Sequence, residues 1–282
     1  MAYAHTQSPQ PAPTLLQWNG RTLPTMPKDL FLDLSSRHRR RETNVALGGL
    51  LAFVAGAINA GGFLAVHRYT SHMTGIVSAI ADDMFLGETV LAMAGVSSLL
   101  AFMAGAATTA ALVNWARRRD MHGEFAIALL VEAALLLIFG LLGANLELFV
   151  DVFVPSTVLL LCFIMGLQNA MITKISRAEI RTTHVTGVVT DLGIELGRML
   201  YWNQSTPKVD LPPVQADWAK VRTLSIILAA FFLGGLSGAW AFKQIGFSAT
   251  LPMALLLLAI AAPPLLKDLQ DQRNKHLPRL AE

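Results

Sequence analysis

The sequence predicts an all-α integral membrane protein with six transmembrane helices, two short re-entrant half-helices and a 3+3 inverted-topology repeat. Three observations lead to this fold class: long apolar segments, basic clusters on one side of them, and a polar hexapeptide that occurs twice. Of the 282 residues, 54% are hydrophobic and 15% are charged, and the mean hydropathy is +0.50. Soluble domains carry about 25% charged residues, so this composition is typical of a membrane protein.

Six apolar windows are long enough to cross a bilayer as helices, which takes about 20 residues. They cover approximately residues 45–66, 90–113, 124–144, 154–173, 222–242 and 247–266. Two further apolar segments, 74–87 and 186–200, are shorter and contain acidic residues. We expect these two to be half-helices that enter and leave the membrane on one side. The alternative is a pair of amphipathic helices that lie on the membrane surface.

The distribution of basic residues favours six spans over eight. Lys and Arg are enriched on the cytoplasmic side of membrane proteins. With six spans and a cytoplasmic N-terminus, only Arg68 and Lys243 of the 22 basic residues lie outside. If the short segments also crossed, six more would move outside, namely Arg117, Arg118, Arg119, Lys174, Arg177 and Arg181. The sequence therefore predicts a six-span protein of the inner (plasma) membrane with both termini in the cytoplasm.

The chain divides into two tails and two repeats. Residues 1–43 are predicted to form a flexible cytoplasmic tail, because the start is rich in Pro, Gln, Ser and Thr and has no apolar signal-peptide core. The first repeat covers 44–147, with its short helix at 74–87. The second repeat covers 148–266 and includes the short helix 186–200 and a polar loop, 201–218. Residues 267–282 form a cytoplasmic C-terminal tail.

Matching motifs indicate the internal duplication. GAINA at 56–60 corresponds to GLQNA at 166–170, an offset of 110, and TSHMTG at 70–75 corresponds to TTHVTG at 182–187, an offset of 112. FMAG at 102–105 resembles FLGG at 232–235, an offset of 130, and the polar loop accounts for the larger value. Each half has three spans, an odd number, so the halves must face opposite ways. Many secondary transporters use this arrangement, with a binding site near the midplane.

These motifs carry a family resemblance. GAINAGGFLAVHRYTSHMTG followed by GLQNAMITKISRAEIRTTHVTG resembles the YoaK family of bacterial inner-membrane proteins, a domain-of-unknown-function family. The resemblance covers approximately residues 44–266. It implies a six-helix membrane protein and supplies no activity.

The paired motifs provide the candidate ligands for a solute or ion. They are Asn59 and Asn169 from the helix motifs, and His72, Thr74, Gly75, Thr183, His184, Thr186 and Gly187 from the hexapeptides. A buried amide either coordinates a ligand or bonds another helix. Thr74 and Thr186 are predicted to N-cap the short helices, and the following glycines let a ligand approach the free amides. The histidines either relay protons or form structural hydrogen bonds.

Four acids are candidates for proton or ion coupling, because acids at membrane depth are costly and tend to be functional. Asp83 and Glu195 occupy matching positions in the two short helices, and Asp191 lies in the second of them. Glu132 is the only acid deep within a long span. The alternatives are solvation at the membrane surface for the short-helix acids, and an i,i+3 ion pair between Glu195 and Arg198.

The leading hypothesis from the sequence is a secondary transporter or permease for a small solute or ion, with its site between the two repeats. The alternatives are a non-transporting scaffold or assembly partner, and a channel. No triad, metal-binding or phosphate-binding constellation occurs, so no enzyme activity, metal or cofactor is expected. The expected partners are the solute or ion and the lipid bilayer, with no nucleic acid; homo-oligomerisation is left open.

Overall fold

The computed structural model describes residues 41–67, 69–145, 150–175, 185–203 and 213–276. Over these residues the chain is helical, and no strand occurs in them. The helices are α1 (Arg41–Val66), α2 (Met73–Leu86), α3 (Thr89–Arg118), α4 (Ala126–Ala144), α5 (Val150–Ile175), α6 (Val185–Leu200), α7 (Trp218–Ile245) and α8 (Thr250–His276). The predicted N-terminal tail lies largely outside the described residues, whereas residues 267–276 of the predicted C-terminal tail continue helix α8.

Within the described part of the chain, five helices are long and apolar enough to cross a membrane. They are Thr43–Val66, Thr89–Arg118, Ala126–Ala144, Val152–Ile175 and a 54-residue stretch, Trp218–Asp271. An all-helical chain with five such helices is an integral membrane protein, as the composition predicts.

The last of these stretches is divided by a break in the helix. A continuous helix of that length would be about 80 Å long, more than twice the hydrocarbon thickness. The 3-10 turn Gly246–Ala249 separates α7 from α8, and Gly246 has the backbone angles φ 59° and ψ −146°. A residue with a side chain rarely adopts this positive φ. After the break the two helices pack against different partners, α7 against α1 and α8 against α4.

Helices from the two halves of the chain are interleaved. The two most extensive helix contacts join α1 to α7 and α3 to α5, followed by the contact between α4 and α8. Each of these pairs joins a helix of the first half to a helix of the second half. One continuous apolar core, to which α1, α4, α5 and α8 contribute most, results from this exchange.

Glycines bring the backbones of α1 and α7 into direct contact. A Cβ atom on Gly56 would collide with the carbonyl oxygen of Phe231, and a Cβ atom on Gly234 would collide with the carbonyl oxygen of Phe53. Close backbone approach at small residues is a common way for membrane helices to associate, because van der Waals packing then acts over the whole contact.

Glycines also bring the backbones of α3 and α5 into direct contact. A Cβ atom on Gly105 would collide with the carbonyl oxygen of Phe163, and a Cβ atom on Gly166 would collide with that of Phe102. One turn further along α3, the buried Thr109 hydroxyl donates a hydrogen bond to a carbonyl of α5, 2.8 Å away.

The turn between α3 and α4 is fastened to the end of α8. Asp268 accepts hydrogen bonds from the backbone N–H groups of His122 (2.8 Å) and Gly123 (3.1 Å), and its carboxylate also contacts His122 Nδ1 at 2.9 Å. In the same turn, Glu124 forms a two-point ion pair with Arg117 through Nε (2.5 Å) and Nη2 (3.2 Å). Charged groups therefore help to hold this end of the bundle, next to apolar core residues such as Phe125 and Ala261.

The two short helices lie at the periphery of the bundle. None of the side chains of α2 is fully buried, and the helix runs along α3, where Ile80 covers Gly95. Helix α6 packs along α7 and buries Val188 and Glu195. Both helices thus contact the second long helix of their own half.

The predicted N-caps of the short helices are wrong. Helix α2 begins at Met73, its N-cap is His72, and no side chain there accepts a capping hydrogen bond. Thr74 lies one position inside the helix. Val185 already belongs to α6, so Thr186 is also inside its helix. The nearby hydroxyl of Ser71 does not cap α2, because it donates a hydrogen bond to Asn59 of α1 and so holds the loop against that helix.

Candidate functional site

The first hexapeptide folds back onto α1. The hydroxyl of Ser71 donates a 2.8 Å hydrogen bond to Oδ1 of Asn59, and Thr70, which is buried, lies beside Gly62. Helix α1 continues from Asn59 to Val66, which is about 10 Å at 1.5 Å per residue. The loop therefore returns along α1 before α2 starts. The N-terminus of α2 therefore lies beside the interior of α1 rather than at the end of that helix.

The glycine of the TG pair in this motif, Gly75, is explained by its contact with His72. A Cβ atom on Gly75 would lie 2.6 Å from Nδ1 of His72, so the imidazole ring rests against the first turn of α2. A residue with a side chain at this position would require the ring to move. The side chains of His72 and Thr74 are themselves exposed. The structure thus brings Asn59 and the hexapeptide together and leaves the outer face of the first turn open.

The second motif is only partly described. Asn169 donates through Nδ2 to the carbonyl of Met165, 2.9 Å away, one turn earlier in α5. Thr183 and His184 lie outside the described residues. Thr186 and Gly187 are exposed, and a Cβ atom on Gly187 would meet open space.

Glu195 is fully buried and its charge is compensated. Its carboxylate receives a hydrogen bond from Nη1 of Arg198 at 2.8 Å and from the backbone N–H of Asp217 at 2.9 Å. Lys220 Nζ lies 3.9 Å away. The expected i,i+3 ion pair is thereby confirmed. Since Asp217 is also the N-cap of α7 and accepts from the N–H groups of the first turn, Glu195 joins α6 to the start of α7.

The other short-helix acids are in more open positions. Asp191 lies 3.5 Å from Lys220 Nζ, and both side chains are partly exposed. Asp83 is half-buried, and its backbone carbonyl accepts from the N–H of Glu88 in the turn that leads to α3. Although Asp83 and Glu195 match in sequence, the structure gives them different surroundings.

Glu132 is buried in the middle of α4. Its exposed fraction is 0%, and neither carboxyl oxygen has a hydrogen-bond partner among the described residues. Phe139, two turns further along, lies on the same face of the helix. The ring of Phe139 packs against Phe242 of α7 and Phe247 of the 3-10 turn, with ring centres 6.2 and 5.7 Å apart. Glu132 therefore faces the interior of the bundle rather than lipid.

Two buried polar residues of α5 were missed by the sequence analysis. Gln168 donates through Nε2 to the carbonyl of Leu51 on α1 at 3.1 Å, but its Oε1 has no partner among the described residues. The same is true of Oγ1 of the buried Thr157. The available signal was a polar side chain within an apolar span. The comparison of the two motifs did not point to these residues, because the offset of 110 aligns Gln168 with Ile58 and Thr157 with Leu47, which are apolar.

Membrane-length helices that enclose an unpaired carboxyl group within an apolar core define a polytopic α-helical membrane protein with an acidic residue in its interior. Residues 47–262 match the family described as "Protein of unknown function (DUF1275)", and the chain belongs to this family.

The curated relatives include the "UPF0700 transmembrane protein YoaK" of Bacillus subtilis (strain 168). It is 26% identical over 158 residues, which is 55% of this chain and 68% of the relative. The resemblance to the YoaK family is thereby confirmed. No solved structure matches the chain.

Proposed function

We propose that the protein is a secondary transporter or permease that moves a small solute or ion between two inverted halves. The supporting observation is the reciprocal packing of α1 against α7 and of α5 against α3. If α1 corresponds to α5 and α3 to α7, one two-fold operation exchanges these contacts. Inverted repeats related in this way are common among secondary transporters.

The glycine contacts support this correspondence and refine its register. Gly56 approaches the carbonyl of Phe231, and Gly166 approaches the carbonyl of Phe102. Since Gly56 and Gly166 are 110 positions apart, Phe102 corresponds to Phe231 at an offset of 129. The pairing of FMAG with FLGG at an offset of 130 is therefore one residue out of register. The starts of α3 and α7, at Thr89 and Trp218, also differ by 129.

Burial supports the offset of 110. Residues 51–62 of α1 and 161–172 of α5 show the same order of buried and half-buried positions, although most of the side chains differ.

The solute site that we propose includes Asn59 and the first turn of α2. The exposed His72 and Thr74 flank N–H groups that no capping side chain occupies, and such a helix start suits an anionic or carboxylate group. Asn169, Thr183, His184, Thr186 and Gly187 are the proposed counterparts in the second half.

The repeat requires six spans, with α7 and α8 crossing separately, and this topology can be tested by labelling. In a variant whose native thiol is removed (Cys162→Ala), single cysteines are introduced at Asp120, Ala144, Trp202 and Ser248. In intact cells, an impermeant maleimide should label Ala144→Cys and Ser248→Cys, because both positions are exposed and on the proposed outer side. Asp120→Cys and Trp202→Cys should react only after the cells are opened. Labelling of Asp120→Cys in intact cells would contradict the topology.

Transport itself is tested by thermal shift against a panel of small solutes, followed by uptake into liposomes. For a solute that raises the melting temperature, Asn59→Ala should reduce uptake about 5- to 150-fold, because a lost ligand hydrogen bond costs about 1–3 kcal/mol. The control is Ser97→Ala, whose hydroxyl is exposed and bonds only within its own helix. If no solute shifts melting or crosses the membrane, the transport proposal fails.

A non-transporting scaffold is the second candidate function. The observation that favours it is the peripheral position of α2 and α6, with Thr74 and Thr186 both exposed. In a scaffold no solute would raise the melting temperature, and Asn59→Ala would leave this result unchanged. The solute-dependent melting shift therefore separates the two proposals.

A further inference from the structure

We propose that Glu132 reversibly binds a proton and that the buried side-chain oxygens of Gln168 on α5 and Asn44 on α1 connect it to the cytoplasmic side. Its role as the coupling site rests on the proposed transport function. The proton site itself rests on burial, on charge and on the positions of the oxygens.

The first step concerns the charge of Glu132. The surrounding spans, residues 43–66, 89–116, 152–173, 223–242 and 250–266, contain no Asp, Glu, Lys, Arg or His. The only other ionisable side chain within these spans is the thiol of Cys162, which is hydrogen-bonded to Ser98. An ionised Glu132 would thus have no counter-charge in the apolar core, and burying an unpaired carboxylate is very costly. We expect the carboxyl group to hold a proton in the resting protein.

Charged groups on the adjoining elements lie at the ends of the helices. They are Arg117 and Arg118 on α3, Arg119, Asp120, His122 and Glu124 in the following turn, Asp151 and Lys174 on α5, Lys220, Arg222 and Lys243 on α7, and Lys267, Asp268, Asp271, Arg273, Lys275 and His276 on α8. Arg117 is paired with Glu124, and His122 with Asp268. Neither of these two pairs places a charge in the middle of α4, where Glu132 lies.

The second step concerns the depth of the unpartnered oxygens. Thr157 and Gln168 are eleven residues apart on α5, which is three helical turns, so they share a face and are about 16 Å apart. Helices α4 and α5 are joined by a short connection and pack together. Glu132 lies twelve residues before Ala144, the last residue of α4. The same distance forward from Val150, the first residue of α5, falls between Thr157 and Gln168, so Glu132 lies at that level. Three unpartnered buried oxygen groups therefore occupy successive levels along one helix pair.

The row extends toward the N-terminal end of α1. Gln168 bonds to the carbonyl of Leu51, and Asn44, about 10 Å earlier in α1, has a buried Oδ1 without a partner in the described residues. Buried polar atoms that lack protein partners are usually satisfied by water. The row Asn44, Gln168, Glu132 thus marks a polar path from the proposed cytoplasmic side, and Thr157 continues it beyond Glu132.

The chemistry is a simple proton transfer. A hydronium ion on the path gives its proton to the Glu132 carboxylate, which leaves water and a neutral carboxylic acid, and release reverses this step. The other acids suit this role less well. Glu195 is held by Arg198, and Asp191 lies near Lys220.

Infrared spectroscopy of the purified protein tests the proton site without any substrate. The wild type should show the C=O stretch of a protonated carboxylic acid at neutral pH, and this band should shift in D₂O and decrease as the pH is raised. The band should be absent in Glu132→Gln and retained in Glu88→Gln, a matched change at an exposed position. A band that persists in Glu132→Gln, or no band in the wild type, would overturn the proposal.

A separate control tests whether the variants at Glu132 fold. Glu132→Gln and Glu132→Leu are neutral, so both variants should melt at or above the wild-type temperature at high pH, where the wild type carries the unpaired charge. If both variants unfold at lower temperatures than the wild type at every pH, a structural role replaces the proton site.

A liposome assay then tests the coupling role. With a transported solute, an imposed pH gradient should drive uptake by the wild type, and Glu132→Gln should reduce this driven uptake at least tenfold while solute exchange continues. Transport that responds to the gradient equally in both proteins would overturn the coupling role. If the infrared band behaves as expected but no solute is transported, the proton site stands and the transport proposal fails.

Discussion

Replacing Gly56 with leucine should prevent the protein from folding, and Gly56→Ala should clearly lower its melting temperature. The reason is that the added Cβ atom would collide with the backbone carbonyl of Phe231, which cannot rotate away as a side chain can. Overpacking in a core costs about 1–3 kcal/mol even when side chains are able to move, so the cost here should be at the upper end or beyond it. Thermal unfolding and size-exclusion chromatography in detergent measure the effect.

The matched control is Gly193→Ala in α6. A Cβ atom there would meet no other atom within 4 Å. Alanine is favoured over glycine within a helix by about 1 kcal/mol, so this variant should melt at the wild-type temperature or above it. Gly166→Ala, at the equivalent position of the second half, should be as harmful as Gly56→Ala. Equal tolerance of Gly56→Ala and Gly193→Ala would show that the α1–α7 contact is not as close as described.

Replacing Glu195 with alanine should release α6 from the start of α7. The fully buried carboxylate is bonded to Arg198 and to the backbone of Asp217, and its loss leaves both donors without their acceptor. Breaking a buried ion pair costs about 3–5 kcal/mol. Because the Arg198 side chain is 47% exposed, solvent screening should bring the cost to the lower end of this range. Faster cleavage of the segment between α6 and α7 in limited proteolysis, with a lower melting temperature, would be the result.

Asp191→Asn is the control for this prediction. Asp191 makes one long contact with Lys220 at 3.5 Å, and both side chains are partly exposed. Ion pairs of this kind contribute less than about 1 kcal/mol, so cleavage and melting should be close to wild type. If Asp191→Asn were as destabilising as Glu195→Ala, the anchoring role would belong to Lys220 rather than to Glu195.

Features that depend on local spacing were predictable from the sequence. The long helices follow from apolar length, and the two short helices follow from apolar segments that are too short and too acidic to span. The pairing of Glu195 with Arg198 follows from the i,i+3 spacing on one helix face. The inward position of Glu132 follows from the cost of a carboxyl group in lipid.

Features that depend on distant contacts were not predictable. Thr74 looks like an N-cap, but the loop before α2 is positioned by the bond from Ser71 to Asn59, so the helix starts at Met73. Glu195 accepts a backbone hydrogen bond from Asp217, which lies near the end of the polar loop and 22 positions away in the sequence. The contacts of Gly56 with Phe231 and of Gly166 with Phe102 could not be predicted either, because each joins positions of different halves that are far apart in the sequence.

The exchange of helix partners between the halves has a consequence for biosynthesis. Helix α1 leaves the ribosome first, yet its principal partner, α7, is made nearly last. Until then, the glycine-lined face of α1 has only lipid or the insertion machinery to contact. Neither half has its main packing partners within itself, so a gene divided between α4 and α5 should give stable protein only when both fragments are made in the same cell.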